Sequence, residues 1–239
     1  MSEKASREDR PRVKAGQRDI VVTIDGPAGA GKSTVAAELA HRLGFTLVDT
    51  GALYRGLAWA VQEAGIALEE GPALQAVLDR TSVRLDGARL LVDGRDISAE
   101  IRTPAISRLT SRLTTLGMVR DKMTPIQRGV AAAGGAVLEG RDTGSVVWPE
   151  AEVKIYLDAE LDTRARRRRD DLVARGLAGD LETVREDIAR RDRQDMERTL
   201  APLVTPEGAV VVDTTGRGVA EVVDGLLRVI EQARCCTRS

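Results

Sequence analysis

Short runs of β-branched and aliphatic residues alternate with longer stretches of helical periodicity along most of the chain. The first run, Ile20 to Ile24, predicts a buried strand that ends in the glycine-rich turn Gly26 to Gly31. Helical spacing follows from Lys32 to Leu43, a second strand is expected over Phe45 to Val48, and a helix over Ala52 to Ala64. Gly71 and Pro72 punctuate the chain before a short helix, Ala73 to Leu78. Between residues 82 and 96 the period changes: Val83 and Leu85 alternate with polar neighbours, Asp86-Gly87 suits a hairpin turn, and Leu90 to Val92 form the return strand. Helices are expected over Thr103 to Leu116 and Met118 to Ala133, with Pro125 kinking or interrupting the second. Three further strands follow, Ala136 to Leu138, Val153 to Leu157 and Ala209 to Val212. Charged helices, Asp162 to Arg175 and Leu181 to Met196, separate the last two, and Val219 to Ala233 closes the chain. Strands alternating with helices imply an α/β fold, a five-stranded parallel sheet flanked by helices, with a small antiparallel insert near residues 82 to 96.

Composition narrows the classes. With 239 residues, 42% of them hydrophobic, the chain can bury a substantial core. Lys and Arg number 36 against 37 Asp and Glu, a balance that argues against a generic nucleic-acid or membrane-surface binder. Aromatics at 2% are too scarce for stacking platforms. The cations are nevertheless 31 arginines against 5 lysines. Arginine's flat fork suits phosphate oxygens, although a GC-rich genome produces the same bias without any function. His41, the one histidine, is expected on a helix surface and leaves no polyhistidine metal site. Cys235 and Cys236 are adjacent and suggest neither a disulfide framework nor a zinc site, which fits a cytoplasmic address. No apolar run reaches the length of a membrane span. Residues 1–19 are charged and without pattern, and are expected to be disordered and outside the fold.

The clearest chemistry lies after the first strand. Gly26, Pro27, Ala28, Gly29, Ala30, Gly31, Lys32 and Ser33 match the G-x-x-x-x-G-K-[ST] pattern between a β-rich run and a helix. Backbone N–H groups there converge on phosphate oxygens, assisted by the positive end of the following helix. Lys32 supplies a point charge for the outer phosphates, and Ser33 can offer its hydroxyl to Mg2+ shared with them. This identifies a nucleoside triphosphate site without naming the reaction.

Two motifs and a later cluster carry a resemblance. Asp49-Thr50-Gly51-Ala52-Leu53-Tyr54-Arg55, Glu139-Gly140-Arg141-Asp142-Thr143-Gly144-Ser145-Val146-Val147, and Arg191, Asp195 and Arg198 ahead of Ala201-Pro202-Leu203 closely resemble bacterial cytidylate kinases over about residues 20 to 233. The resemblance implies the P-loop nucleoside monophosphate kinase fold, a single domain over residues 20–239 with a monophosphate-binding insert at about 66–117 and an arginine-rich lid at about 160–198. It also implies transfer of the γ-phosphoryl group of ATP to CMP or dCMP by a monomer that uses Mg2+ and binds neither nucleic acid nor membrane. Lys32, Arg141 and Arg198 then become the catalytic cations. The ATP side comprises residues Gly26 to Thr34 with Arg167 and Arg168 from the lid. On the acceptor side, Arg55, Arg141 and Arg198 hold the phosphate, and Asp142, Ser111 and Arg120 contact the base. Arg191 and Asp195 engage the sugar, and Thr50 and Tyr54 line the pocket.

The residue chemistry agrees in kind. Phosphoryl transfer depends on positioning and charge neutralisation, so several arginines should surround two facing phosphates, and an already anionic acceptor requires no strong base. A carboxylate complements the exocyclic amine of cytosine. Other readings remain for individual residues: Arg141 and Asp142 could be an ion-paired turn, Ser111 and Arg120 a polar helix face, and Trp59 a core anchor. The segment 164–198 holds 11 arginines and 9 acidic residues, so much of it should be a solvated, ion-paired surface. Three departures from the family pattern stand out: Pro125 within a helix, Ser33 where some relatives have glycine, and the tail before residue 20. Kinases for UMP or a small metabolite such as shikimate, and a nucleotide-dependent switch, remain as alternatives, the last lacking an N-K-x-D motif.

Overall fold

A computed structural model describes residues 19–177 and 179–237. The charged tail up to residue 18 and the side chain of Cys236 lie outside the described residues. Asp19 belongs to the folded part: its carboxylate pairs with Arg234 at 2.7 Å and its carbonyl accepts from the N–H of Gly135.

Five parallel strands form the central sheet: β1 (Val21–Asp25), β2 (Thr46–Asp49), β6 (Ala136–Glu139), β7 (Val153–Asp158) and β8 (Val210–Asp213). Their order is β2-β6-β1-β7-β8. Every residue of β1 and β6 is buried, because helices cover both faces. One face packs on α1 (Lys32–Leu43) and α8 (Val219–Thr237), through Val35, Leu39, Val223 and Ile230. The other carries α2 (Thr50–Glu63), α3 (Pro72–Arg80), α4 (Pro104–Leu113) and α5 (Gly117–Ala131), packed through Leu53, Leu57, Leu78, Leu113 and Met123. A three-stranded antiparallel sheet of β3 (Val83–Asp86), β4 (Arg89–Val92) and β5 (Arg95–Asp96) seats Val83, Leu90 and Val92 in that same core. The helical hairpin of α6 (Leu161–Ala174) and α7 (Leu181–Glu197) forms a separate small core, in which Ala165, Val184 and Ile188 meet Ala28.

Four details depart from the sequence pattern. The helix expected to kink or be interrupted at Pro125 is not interrupted and runs from Gly117 to Ala131. Val119, Met123 and Ala131 bury one face while Pro125 and Asp121 sit on the exposed face, where water can satisfy the carbonyl that proline leaves unpaired. The second strand of the small sheet is followed by β5, too short at two residues to show a period. α2 starts at Thr50, two residues earlier than apolar spacing indicated, because Asp49 caps it by accepting the N–H of Ala52 at 2.6 Å. Thr143–Val147 form a π-helical turn, which has no hydrophobic period to read. His41 is exposed, as expected, and Trp59 is half-buried against the core with the Arg95 guanidinium 5.3 Å from its ring centre.

Candidate active site

The carboxyl ends of β1, β2 and β6 converge at the reversal of strand order, where open α/β sheets collect ligands. A cavity of about 1080 Å3 opens there, at or above the upper end of the ~300–1,000 Å3 typical of one small-molecule pocket. It is lined by residues 28–34 and by Thr50, Tyr54, Arg55, Ser111, Arg120, Asp142 and Arg198. Arg141, Arg167, Arg168, Arg191 and Asp195 also face it. Gly26 and Pro27 stand behind the loop, outside the lining. A Cβ on Gly26 would lie 1.9 Å from the carbonyl oxygen of Leu157, so the loop can leave β1 this way only without a side chain.

The donor loop is held from both sides. Asp192 on α7 accepts the N–H of Ala28 at 3.0 Å, and Arg164 on α6 donates to the Ala28 carbonyl at 3.0 Å. Arg164 and Asp192 are themselves a buried ion pair, which locks the α6–α7 hairpin onto the loop. Arg167 donates to the hydroxyl and carbonyl oxygens of Thr214 at 2.9 and 2.7 Å, and Thr214 donates onward to the Ala30 carbonyl at 3.1 Å. Lys32 folds back on its own loop and donates to the Pro27 carbonyl at 2.6 Å. Ser33 donates its hydroxyl proton to Glu139 at 2.7 Å. Thr34 is exposed at the start of α1.

The acceptor end is a network of arginines and carboxylates. Asp142 pairs through one oxygen with Arg120 and through the other with Arg198 at 3.3 Å. Arg198 lies 3.6 Å from Asp195, which also accepts from Arg141 at 3.1 Å. Arg55 pairs with Asp49 at 3.3 Å, Thr50 donates to the Glu139 carbonyl at 2.7 Å, and Ser111 bonds to Gln194. The hydroxyl of Tyr54 is buried beside Gln127, and burial raises its pKa. Every acceptor-side residue expected from the motifs therefore faces one cavity. Within it Ser111 meets Gln194, and Asp195 meets two arginines.

Electrostatics show what this cavity is suited to hold. Burial brings Lys32 down to about 7, with Arg141 and Arg191 adding like-charge repulsion. Arg191 is lowered to about 10 by burial and then by Arg141, and its buried Nε has no hydrogen-bond partner. Burial likewise lowers Arg168, with help from Arg175. Asp195 and Glu139 offset part of this repulsion and hold Arg141 above its ordinary value, and an anion placed among the cations would offset more.

Sequence patterns did not single out Asp25, Glu139, Arg164, Asp192, Gln194 or Thr214 as individual site residues. Glu139 opens the Glu139-to-Val147 motif and Asp25 adjoins Gly26, so position in the chain was a signal for both. Arg164 and Asp192 are 28 residues apart within a charge-rich run, and only the hairpin brings them together.

The sheet, the glycine-rich loop before α1 and the cation-lined cavity define a P-loop nucleotide-binding protein. Two solved structures share the fold: a Thermus thermophilus protein, 20% identical with TM-score 0.51 over 90% of this chain and 98% of that one, and a gluconokinase from Sinorhizobium meliloti, 13% identical with TM-score 0.50 over 91% and 95%. The cytidylate kinase family profile matches residues 22–232. A cytidylate kinase of Symbiobacterium thermophilum is 46% identical over 89% of this chain and 96% of its own length, and one of Geobacillus kaustophilus 43% identical over 90% and 98%. This chain belongs to the cytidylate kinase family.

Proposed function

We propose that the protein transfers the γ-phosphoryl group of ATP to CMP or dCMP, giving ADP and the corresponding diphosphate. The carrying observation is that residues 28–34 of the glycine-rich loop and the Asp142-centred cluster line one cavity, together with the mutually repelling Lys32, Arg141 and Arg191. ATP phosphates lie on the loop amides, and Lys32 turns from Pro27 to the β- and γ-phosphates. The acceptor phosphate is held by Arg55, Arg141 and Arg198, which screen the repulsion between two anions and place the attacking oxygen in line. Asp142, with Ser111 and Arg120, reads the base, while Arg191 and Asp195 hold the sugar. Closure of the α6–α7 lid, with Arg167 and Arg168 toward the ATP phosphates, excludes water and limits wasteful hydrolysis.

Mg2+ fits this site as a companion of the phosphates. Among the described residues no group of three or more His, Cys, Asp or Glu is arranged to hold a metal, so phosphate oxygens and water would supply most ligands. Ser33 directs its proton to Glu139, which leaves its oxygen lone pairs for the cation. When bound, the ion would neutralise part of the charge on the transferring group.

We place this reaction in the cytoplasm and in a monomer, with neither nucleic acid nor membrane as partner. No described helix is long and apolar enough to cross a membrane. The test is an acceptor panel: with ATP and Mg2+, CMP and dCMP should release ADP at rates well above UMP, AMP and shikimate. Inactivity toward all pyrimidine monophosphates would sink the proposal.

A further inference from the structure

Ser111 on α4 and Gln194 on α7 face each other across the acceptor end of the cavity. The Ser111 hydroxyl donates to Gln194 Oε1 at 3.0 Å, and Gln194 Nε2 donates to the Ser111 carbonyl oxygen at 3.0 Å. The second bond decides the direction of the first. A backbone carbonyl can only accept, so the carboxamide must turn its NH2 group to that oxygen and its own oxygen to the hydroxyl. A hydroxyl carries one proton. With that proton committed to Oε1, Ser111 Oγ offers only lone pairs to a molecule in the cavity.

The pair is tied to the base-reading cluster. The Ser111 carbonyl also accepts the hydroxyl of Thr114 at 2.9 Å, while Thr114 takes bonds from Arg120 through its carbonyl at 3.4 Å and from Arg198 through its hydroxyl at 3.5 Å. Arg120 and Arg198 are the two partners of Asp142. Asp142, as a carboxylate, is likewise an acceptor without a proton to give. A pyrimidine with an amino group at this edge supplies donors to both positions. One with a carbonyl there sets oxygen lone pairs against both, and a site with unmatched buried polar groups rejects such a ligand strongly.

We propose that Gln194 is a positioning residue for acceptor specificity: by holding the Ser111 hydroxyl as a hydrogen-bond acceptor, it biases the pocket toward an amino-bearing pyrimidine over a carbonyl-bearing one. This rests on the acceptor assignment made above. Gln194 contributes through Ser111, so its effect belongs in the ratio of kcat/KM for CMP to that for UMP. In Gln194→Met, similar in length but apolar, the hydroxyl can rotate and donate to a carbonyl, and the ratio should fall about tenfold, mainly through improved use of UMP. In a Ser111→Ala background, Gln194→Met should leave the ratio within about twofold of Ser111→Ala alone, since the group it orients is gone.

Gln194→Met with an unaltered ratio overturns the proposal. Equal losses with CMP and UMP also overturn it, because that is what a purely structural α4–α7 contact predicts. If the unaltered chain uses neither pyrimidine, the acceptor assignment fails first, a result visible before any variant is made.

Discussion

Asp25 holds Thr143 by two bonds at once, its Oδ1 accepting both the backbone N–H and the hydroxyl at 2.8 Å. Its other oxygen accepts the N–H of Gly144 at 2.7 Å. Asp25 ends β1 and precedes Gly26, whereas Thr143 follows Asp142, so one buried carboxylate sets the donor loop against the acceptor loop. Burial raises its pKa, and the hydrogen bonds from Gly144 and Thr143 work against that rise. Asp25→Asn must point an NH2 group at a backbone donor. The expected cost is about 1–3 kcal/mol in urea denaturation, with faster amide exchange at Thr143 and Gly144. The rate of transfer to CMP should fall more than the affinity for ATP. Unchanged exchange at those two amides would show that the turn holds itself.

Asp142 is the counter-ion of two buried arginines as well as the proposed reader of the base. Removing one partner of such a cluster strands the remaining charge, so Asp142→Ala should lose roughly 3–5 kcal/mol of stability. Its activity should fall chiefly with cytidine acceptors. Measuring kcat/KM for CMP and UMP at a temperature where the variant stays folded separates the two effects, and equal losses would assign Asp142 to the scaffold.

Lys32 connects pH to nucleotide binding. Burial and the neighbouring Arg141 bring its pKa down to about 7 against the pull of Glu139, so above neutral pH it gives up its proton far more readily than a solvated lysine. Phosphates beside it favour the ammonium, which raises the pKa again. Binding of ATP at pH 8 should therefore take up protons. Calorimetry in two buffers of different ionisation enthalpy reads that uptake, and Lys32→Ala should abolish most of it while weakening turnover with every acceptor. Proton release by the parent at pH 8 would contradict the mechanism.

Pro125 offers a test outside the site. It lies on the exposed face of α5, where proline is about 3 kcal/mol less favourable than alanine in a helix interior, partly offset by the stiffer unfolded chain. Pro125→Ala should raise the melting temperature by a few degrees and leave KM for CMP unchanged, because Arg120 is already held by Asp142 and Thr114. A lower melting temperature would mean that proline's restriction of the unfolded chain outweighs the lost helix bond.

Local chemistry was enough to read the donor half of this protein. The Gly26–Ser33 loop, the strand before it and α1 are contiguous, so spacing alone places amides, lysine and hydroxyl around a phosphate. The central strands β1, β6 and β7 were legible because strands buried on both faces require unbroken apolar runs, whereas β5 and the Thr143–Val147 turn have no such period. The acceptor half was legible as a set of motifs matching a family, without pairings. Ser111 and Gln194 are 83 residues apart, Arg120 and Asp142 22, and Arg141 and Asp195 54, and no periodicity links them. Tertiary structure decides which arginine meets which carboxylate and which way the Ser111 proton points. Those choices depend on directional bonds between groups that only the folded sheet and its helices bring within 4 Å.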